Sequence, residues 1–343
     1  MGIPNQLKYN QTRISDVILL GFQSSKVVHM FLFTLIFVIY ILTLCGNLLI
    51  ITLVSYSKIL HTPMYFFLTQ LSLSDIILTT DICPNLLYIV VNENGTMSFT
   101  SCIFQHYIFA TTECLECLLL TVMAYDRYLA ICHPLHYTSI MNMLFCIQLV
   151  AMSWLLSIII MMISTVTIAC LEFCGPNTID HFFCDALPLL HLSCSDTSLI
   201  QIEMILISVA VLFLPFLFII ISYSKVICTI LKITSTAGKH KTFSTCSSHL
   251  TVVSIFYVTL IFTYGLPTKG QLLSISKLES LFYTVGAPLL NPIIYSLRNK
   301  DMKITFIKLL ENLLTLYERH ITMFKICCDS NRFISTEDKL HGK

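Results

Sequence analysis

Met123–Tyr137 reads MAYDRYLAICHPLHY, with an acid and a base side by side, Asp126 and Arg127, at the end of a long apolar run. Upstream, Phe99–Tyr125 contains two acids, Glu113 and Glu116, and no lysine or arginine. As a helix, the stretch from Cys102 to Arg127 rises about 37 Å, more than the ~30 Å hydrocarbon core of a bilayer. Cys102 and Arg127 are therefore expected on opposite sides of a membrane. A charged pair at such a boundary either stays wet or is buried and locked until something separates it.

The rest of the chain suits a membrane. It is 343 residues long, 56% hydrophobic and 11% charged, whereas a soluble domain carries about 25% charged residues. A net charge of +1 offers no basic face for phosphates, which argues against nucleic acid as a partner. Seven apolar segments approach spanning length, at about 27–54, 63–91, 99–126, 144–170, 199–228, 243–266 and 272–296. Pro215 and Pro292 lie inside the fifth and seventh, where kinks are expected. No barrel-type alternation is visible. The expected fold is an all-α seven-helix membrane bundle over 27–297, preceded by a polar segment, 1–26, and followed by a tail, 298–343.

Lysines and arginines set the orientation. With the N-terminus outside, fifteen of the twenty fall on the inner side, while Leu171–Ser198 has none and carries Glu172, Asp180, Asp185 and Asp196. The positive-inside rule places the N-terminus and that loop outside, and the C-terminus in the cytoplasm. Asn10-Gln11-Thr12 and Asn94-Gly95-Thr96 then become glycosylation sequons on the glycan-bearing side. Asn94 sits close to the membrane and is the weaker candidate. The same loop holds Cys174, Cys184 and Cys194, facing Cys102. Four cysteines in an oxidising compartment suggest two bridges, with three pairings open.

Five motifs then resemble one family: LHTPMYFFL at Leu60–Leu68, MAYDRYLAIC at Met123–Cys132 with HPLHY at His133–Tyr137, KTFSTCSSHL at Lys241–Leu250, and PLLNPIIYSLRN at Pro288–Asn299. Together with Gly46-Asn47, Leu71–Asp75, Ser222-Tyr223 and IDHFFCD at Ile179–Asp185, they resemble the vertebrate odorant receptors of the tetrapod type. These are rhodopsin-like G-protein-coupled receptors of the plasma membrane. The resemblance covers about residues 15–305.

The resemblance implies bridges Cys102–Cys184 and Cys174–Cys194. It turns Asp126 and Arg127, with the adjoining Tyr128, from a solvated helix-end pair into a switch. Asp126 holds Arg127 at rest; on activation Arg127 packs towards Tyr223 and Tyr295 and opens a crevice for a stimulatory G protein, which raises cyclic AMP. Lys239, His240 and Lys241 would face that partner. Pro292 in Asn291–Tyr295 loosens a turn so that Tyr295 can move. Asp75 and Glu116 are intramembrane acids, implied to lie beside Asn291 around a pocket that can hold sodium or form a hydrogen-bonded cluster without an ion. No other cofactor is implied.

The implied ligand is a small volatile molecule in an apolar cavity. Phe109, Ala110 and Cys114 would line it from the third helix, with Ile207, Ser208 and Val211 from the fifth. Tyr257, Leu260, Ile261 and Tyr264 would come from the sixth and Thr284 from the seventh. Glu113 departs from the family, in which an uncharged residue is expected. Lying three residues before Glu116 on the same face, it points into the cavity. It either pairs with a cationic ligand such as an amine, or is protonated or hydrogen-bonded internally to His106, Tyr257 or Ser208; protonation or an internal bond is the preferred expectation. Val258, where the family has glycine, narrows the pocket or faces lipid.

Asp301–Tyr317 reads as an amphipathic helix on the membrane surface, and Cys327-Cys328 is a palmitoylation candidate. A transporter or channel is the alternative class, but no paired broken helices of an inverted repeat are visible. An intramembrane enzyme lacks any His-Glu-x-x-His or Gly-x-Ser-x-Gly motif.

Overall fold

The computed structural model describes residues 14–174, 176–265, 273–299, 301–312, 314–315 and 317–319. Its spanning elements are α1 (Lys26–Tyr56), α2 (Pro63–Asn92) and α3 (Phe99–Cys132), then, after the short α4 (Pro134–Ile140), α5 (Met143–Ala169). The small α6 (Ala186–His191) precedes a fifth span made of α7 (Ser198–Ser208), a π-helical turn (Val209–Phe213) and α8 (Leu214–Lys232). The sixth is α9 (Thr236–Gly265); the seventh comprises α10 (Leu273–Leu281), a π-helical turn (Phe282–Gly286) and α11 (Ala287–Arg298). Each expected span is a helix, and most run a few residues past the apolar run. The fold is a seven-helix bundle.

α3 is its axis. In its apolar window 61% of residues are buried, against 17% in α1, and it packs on α2, α5, α8 and α9. The helix also continues five residues past Arg127, closing with the His133 N–H on the Leu129 carbonyl at 3.0 Å. Asp126 and Arg127 are thus inside a helix and buried, not at a wet helix end.

The prolines act as their chemistry requires. Pro292 lacks the N–H that would reach the Pro288 carbonyl one turn back. The Asn47 side-chain amide of α1 donates to that carbonyl instead, at 3.2 Å. Gly46 allows the approach, since a Cβ there would lie 3.0 Å from Pro292 Cγ. Just before Pro215 the fifth span loosens into its π-helical turn, where the Leu214 N–H bonds the Val209 carbonyl.

A three-stranded sheet that the sequence pattern did not signal closes the disulfide-bearing end. Its strands are β1 (Asp16–Leu19), β2 (Gly95–Ser98) and β3 (Thr178–Ile179), in the order β2-β1-β3. β1 pairs antiparallel to β2, with Asp16 opposite Ser98, and parallel to β3, with Leu19 opposite Ile179. Val17 and Leu19 are fully buried, the alternation of a half-buried strand. Gly21 turns the chain at φ +58°, a left-handed conformation that suits glycine. Its carbonyl accepts from Lys277 Nζ at 2.8 Å, and the same ammonium pairs with Asp180. One lysine thereby ties the N-terminal segment, the long loop and α10 together. At the opposite end, residues 301–312 are helical, with Ile304, Ile307 and Leu310 exposed and Met302 and Thr305 buried, as an amphipathic surface helix requires.

Candidate functional site

Three constellations lie along the bundle axis. The first is a cavity of about 910 Å³ between α3, α5, α6, α9 and the fifth span. Its walls include Phe109, Ala110, Glu113, Cys114, Ile207, Ser208, Val211, Tyr257, Leu260 and Ile261, ten of the sequence-derived ligand residues. Thr284 is a correction. It is fully buried, its hydroxyl donates to the Ser280 carbonyl at 2.7 Å, and it is not part of the wall. The π-helical turn Phe282–Gly286 contains it, and the wider turn shifts which side chains face the cavity. The Tyr264 side chain lies outside the described residues. Val258 is half exposed and faces outward, so it does not narrow the cavity.

The long loop supplies what helix patterns missed. Cys102 is bridged to Cys184 and Cys174 to Cys194. The Cys184 N–H donates to Gln105 Oε1 of α3 at 3.1 Å, which holds the loop down over the cavity. Phe183 packs edge-on against Phe109 at 4.9 Å between centroids, and Asp185 enters the cavity wall. Asp185 also caps α6, accepting the Ala186 N–H at 2.7 Å; burial outweighs that bond and lifts its carboxyl to about 6. His181 stacks on Phe182 at 4.7 Å. Burial, with Lys277 beside it, lowers the His181 imidazole to about 4, so it is neutral at physiological pH. The signal for Asp185 was in the sequence: it follows the cysteine that the resemblance ties to the top of α3.

Glu113 is a second correction. It lines the cavity, yet no hydrogen bond forms to His106, Tyr257 or Ser208. His106 Nδ1 and the Tyr257 hydroxyl are themselves buried without a hydrogen-bond partner. Of the two forms the preferred expectation allowed, the internal hydrogen bond is absent.

The second constellation is polar and lies one turn deeper. Asn291 Nδ2 donates to Asp75 Oδ1 and Oδ2 at 3.2 and 3.1 Å, and approaches Glu116 Oε1 at 3.5 Å. All three residues are buried. Two carboxylates sharing one amide form an acceptor-rich set with no lysine or arginine bonded to it, which fits a hard cation or a proton.

The third constellation is the charged pair. Arg127 Nε donates to Asp126 Oδ2 at 2.8 Å, and Nη2 contacts the same oxygen. The other oxygen, Oδ1, accepts from the Tyr137 hydroxyl of α4 at 2.8 Å. Asp126 is fully buried and Arg127 nearly so. Tyr223 lies close by but hydrogen-bonds His249 Nδ1 at 2.6 Å, and the Tyr295 hydroxyl is buried without a partner. Tyr137 and His249 were missed as participants, although both lie in the quoted motifs. Tyr128 bonds His133 at 2.9 Å and takes the Lys225 ammonium over its ring at 5.7 Å. Lys239 is half-buried and His240 exposed at the start of α9; the Lys241 side chain lies outside the described residues. Asn94 is exposed in the turn before β2, whereas Asn10, Cys327 and Cys328 lie outside the described residues.

Known proteins share this chain's pattern. A family model described as Olfactory receptor matches residues 36–312. Human Olfactory receptor 10A7 is 44% identical over 294 residues, covering 86% of this chain and 93% of that protein. Olfactory receptor 1468 of Rattus norvegicus is 45% identical over 302 residues, covering 88% and 96%. Mouse Olfactory receptor 1M1 is 43% identical over 294 residues, covering 86% and 94%.

Proposed function

The chain belongs to the olfactory receptor family, multi-pass G-protein-coupled receptors of the plasma membrane and not enzymes, and from that premise we propose that it signals a small volatile odorant through a stimulatory G protein. The odorant occupies the apolar cavity beneath the disulfide-tethered loop, and cyclic AMP rises on binding. The observation that carries this reading is the arrangement along α3. An apolar cavity with a few polar groups lies at Phe109–Cys114, and a locked charged pair lies at Asp126–Arg127 on the same helix.

Binding at the cavity biases a two-state packing of the helices. In the resting state Asp126, held by Tyr137, retains Arg127. In the active state Arg127 leaves Asp126 for Tyr223 and Tyr295 and lines the crevice that admits the G protein, with Lys239, His240 and Lys241 at its rim. Asp75, Glu116 and Asn291 sit between the two ends and hold the resting packing, with sodium or a proton neutralising the carboxylates. We place the N-terminus outside and the C-terminus in the cytoplasm on the distribution of lysine and arginine. Asn10, and less favourably Asn94, carry glycans in that orientation.

The test is cyclic AMP accumulation in cells expressing the full chain, measured against a broad volatile panel with surface expression verified. A concentration-dependent rise for some panel member is expected. A response through another G-protein class alone, seen as calcium release without cyclic AMP, would overturn the coupling.

The lock yields a second expected result. Tyr137→Phe removes one hydrogen bond to a carboxylate, a contact that contributes about 1.5–3 kcal/mol. Part of that loss falls on the resting state alone. Basal cyclic AMP should therefore rise several-fold, about threefold to tenfold on the 1.4 kcal/mol per decade scale. Unchanged basal signalling at equal surface level would remove Tyr137 from the lock.

A further inference from the structure

Glu113 stands near the middle of α3, the fifteenth of its 34 residues, on the wall of the cavity. Among the described residues its carboxylate has no hydrogen-bond or ion-pair partner; its neighbours in charge are Glu116 and Asp185, both acids. Leaving a charge uncompensated at this depth is costly, and intramembrane acids are ordinarily paired. Among the described residues of the cavity wall there is no lysine or arginine. Lys277, on α10, is already engaged by Asp180 and the Gly21 carbonyl. Among the described residues the wall therefore carries two acids, Glu113 and Asp185, and one imidazole, His106, with no lysine or arginine.

Resting on the receptor reading above, the geometry points to a protonated amine with a small apolar body as the ligand class, its ammonium paired with Glu113. The remaining features of the wall fit that occupant. The Tyr257 hydroxyl is buried and unpartnered, so its oxygen is free to accept an ammonium N–H. Tyr257 packs against Phe216 at 4.5 Å between centroids, and both line the cavity with Phe109, an aromatic lining of the kind that attracts cations. Asp185 adds negative potential from the loop side, which opposes anionic ligands such as carboxylic acids. The aliphatic remainder of the wall accommodates the carbon skeleton.

The discriminating experiment uses matched pairs that differ only in charge: hexylamine against hexanol, and cyclohexylmethylamine against cyclohexylmethanol. Two readouts are taken on the full-length receptor. One is the ligand-induced shift of melting temperature for the purified protein in detergent, which does not depend on coupling; the other is cyclic AMP in cells. The expected result is a melting shift with the amines and none with the alcohols at equal concentration. Glu113→Gln should weaken the amine effect at least ~30-fold in concentration, as truncating one member of a buried charge pair does, measured against that variant's own ligand-free melting temperature and at matched surface level.

Within the wild type alone, the matched amine–alcohol pairs compare charge at constant shape, which keeps the test decisive if Glu113→Gln fails to fold. Equal shifts from amines and alcohols, no shift from the amines, or an undiminished amine shift in Glu113→Gln would each overturn the assignment. Amine-dependent shifts without cyclic AMP would instead sustain the ligand class and overturn the signalling reading, so the two failures are separable.

Discussion

Arg127→Ala is expected to abolish ligand-stimulated cyclic AMP while the receptor still reaches the cell surface. The guanidinium is the one arginine or lysine group carried by α3 itself; it is buried, and it is held by Asp126 through Nε and Nη2. Its proposed work is done after release, when it lines the G-protein crevice, so its loss removes a contact made only in the active state. Removing one member of a buried ion pair can destabilise a protein by about 3–5 kcal/mol, which would lower expression as well. Here that penalty is softened, because the Tyr137 hydroxyl still donates to Asp126 at 2.8 Å. The companion variant gives the opposite sign. Asp126→Asn keeps the guanidinium and weakens its restraint, so basal cyclic AMP should rise. Loss in one variant and gain in the other, at matched surface levels, is the signature of a switch. If both variants merely lose expression in proportion to signal, the pair is a structural brace and the switch reading fails.

The spans were legible because each is a long apolar run whose period and length leave few alternatives. The charged pair was legible only in part. Composition made Asp126 and Arg127 conspicuous, but it could not reveal that α3 runs on to Cys132, nor that α4 returns Tyr137 to Asp126. The sheet had no local signal. β1 is four residues long, and its partners begin at Gly95 and Thr178, so pairing is decided by tertiary placement and not by strand propensity. Thr284 failed for a different reason. Its place was carried over from the resemblance, and in this chain it sits in the π-helical turn Phe282–Gly286 with its hydroxyl on the Ser280 carbonyl. Glu113 lines the cavity as its direction implied, and the internal hydrogen bond that was one of its alternatives is absent. Direction follows from its position three residues before Glu116, whereas a hydrogen bond depends on side chains from other helices.

The bridge from Cys102 to Cys184 should matter more than the one from Cys174 to Cys194, and the two double serine variants test this directly. The first pair lies 82 residues apart in sequence and the second 20. On the loop-entropy scale these correspond to about 4.5 and 3.3 kcal/mol, a difference too small to separate the variants by stability alone. Position separates them. Cys184 lies between Phe183, which packs on Phe109, and Asp185, which enters the cavity wall. Its own N–H is fixed by Gln105 Oε1. Without the bridge, the Cys184 segment is held over the ligand by that hydrogen bond, worth about 0.5–1.5 kcal/mol net, and by the Phe183–Phe109 contact, while β3 and the Lys277–Asp180 pair secure only the residues before it. Cys174 pairs within the loop itself, beside the Phe173–Ser193 bridge and away from the cavity wall. Cys102→Ser/Cys184→Ser should therefore lose more than ~90% of the ligand response per receptor at the surface, a shift beyond the ~1.4 kcal/mol that makes one decade. Cys174→Ser/Cys194→Ser should lower surface expression while leaving potency per surface receptor close to wild type. Surface labelling by flow cytometry, paired with cyclic AMP dose–response curves, reads both quantities. Equal loss of potency in the two variants would mean that the loop acts as one stapled unit and that the Cys184 segment has no separate role in closing the cavity.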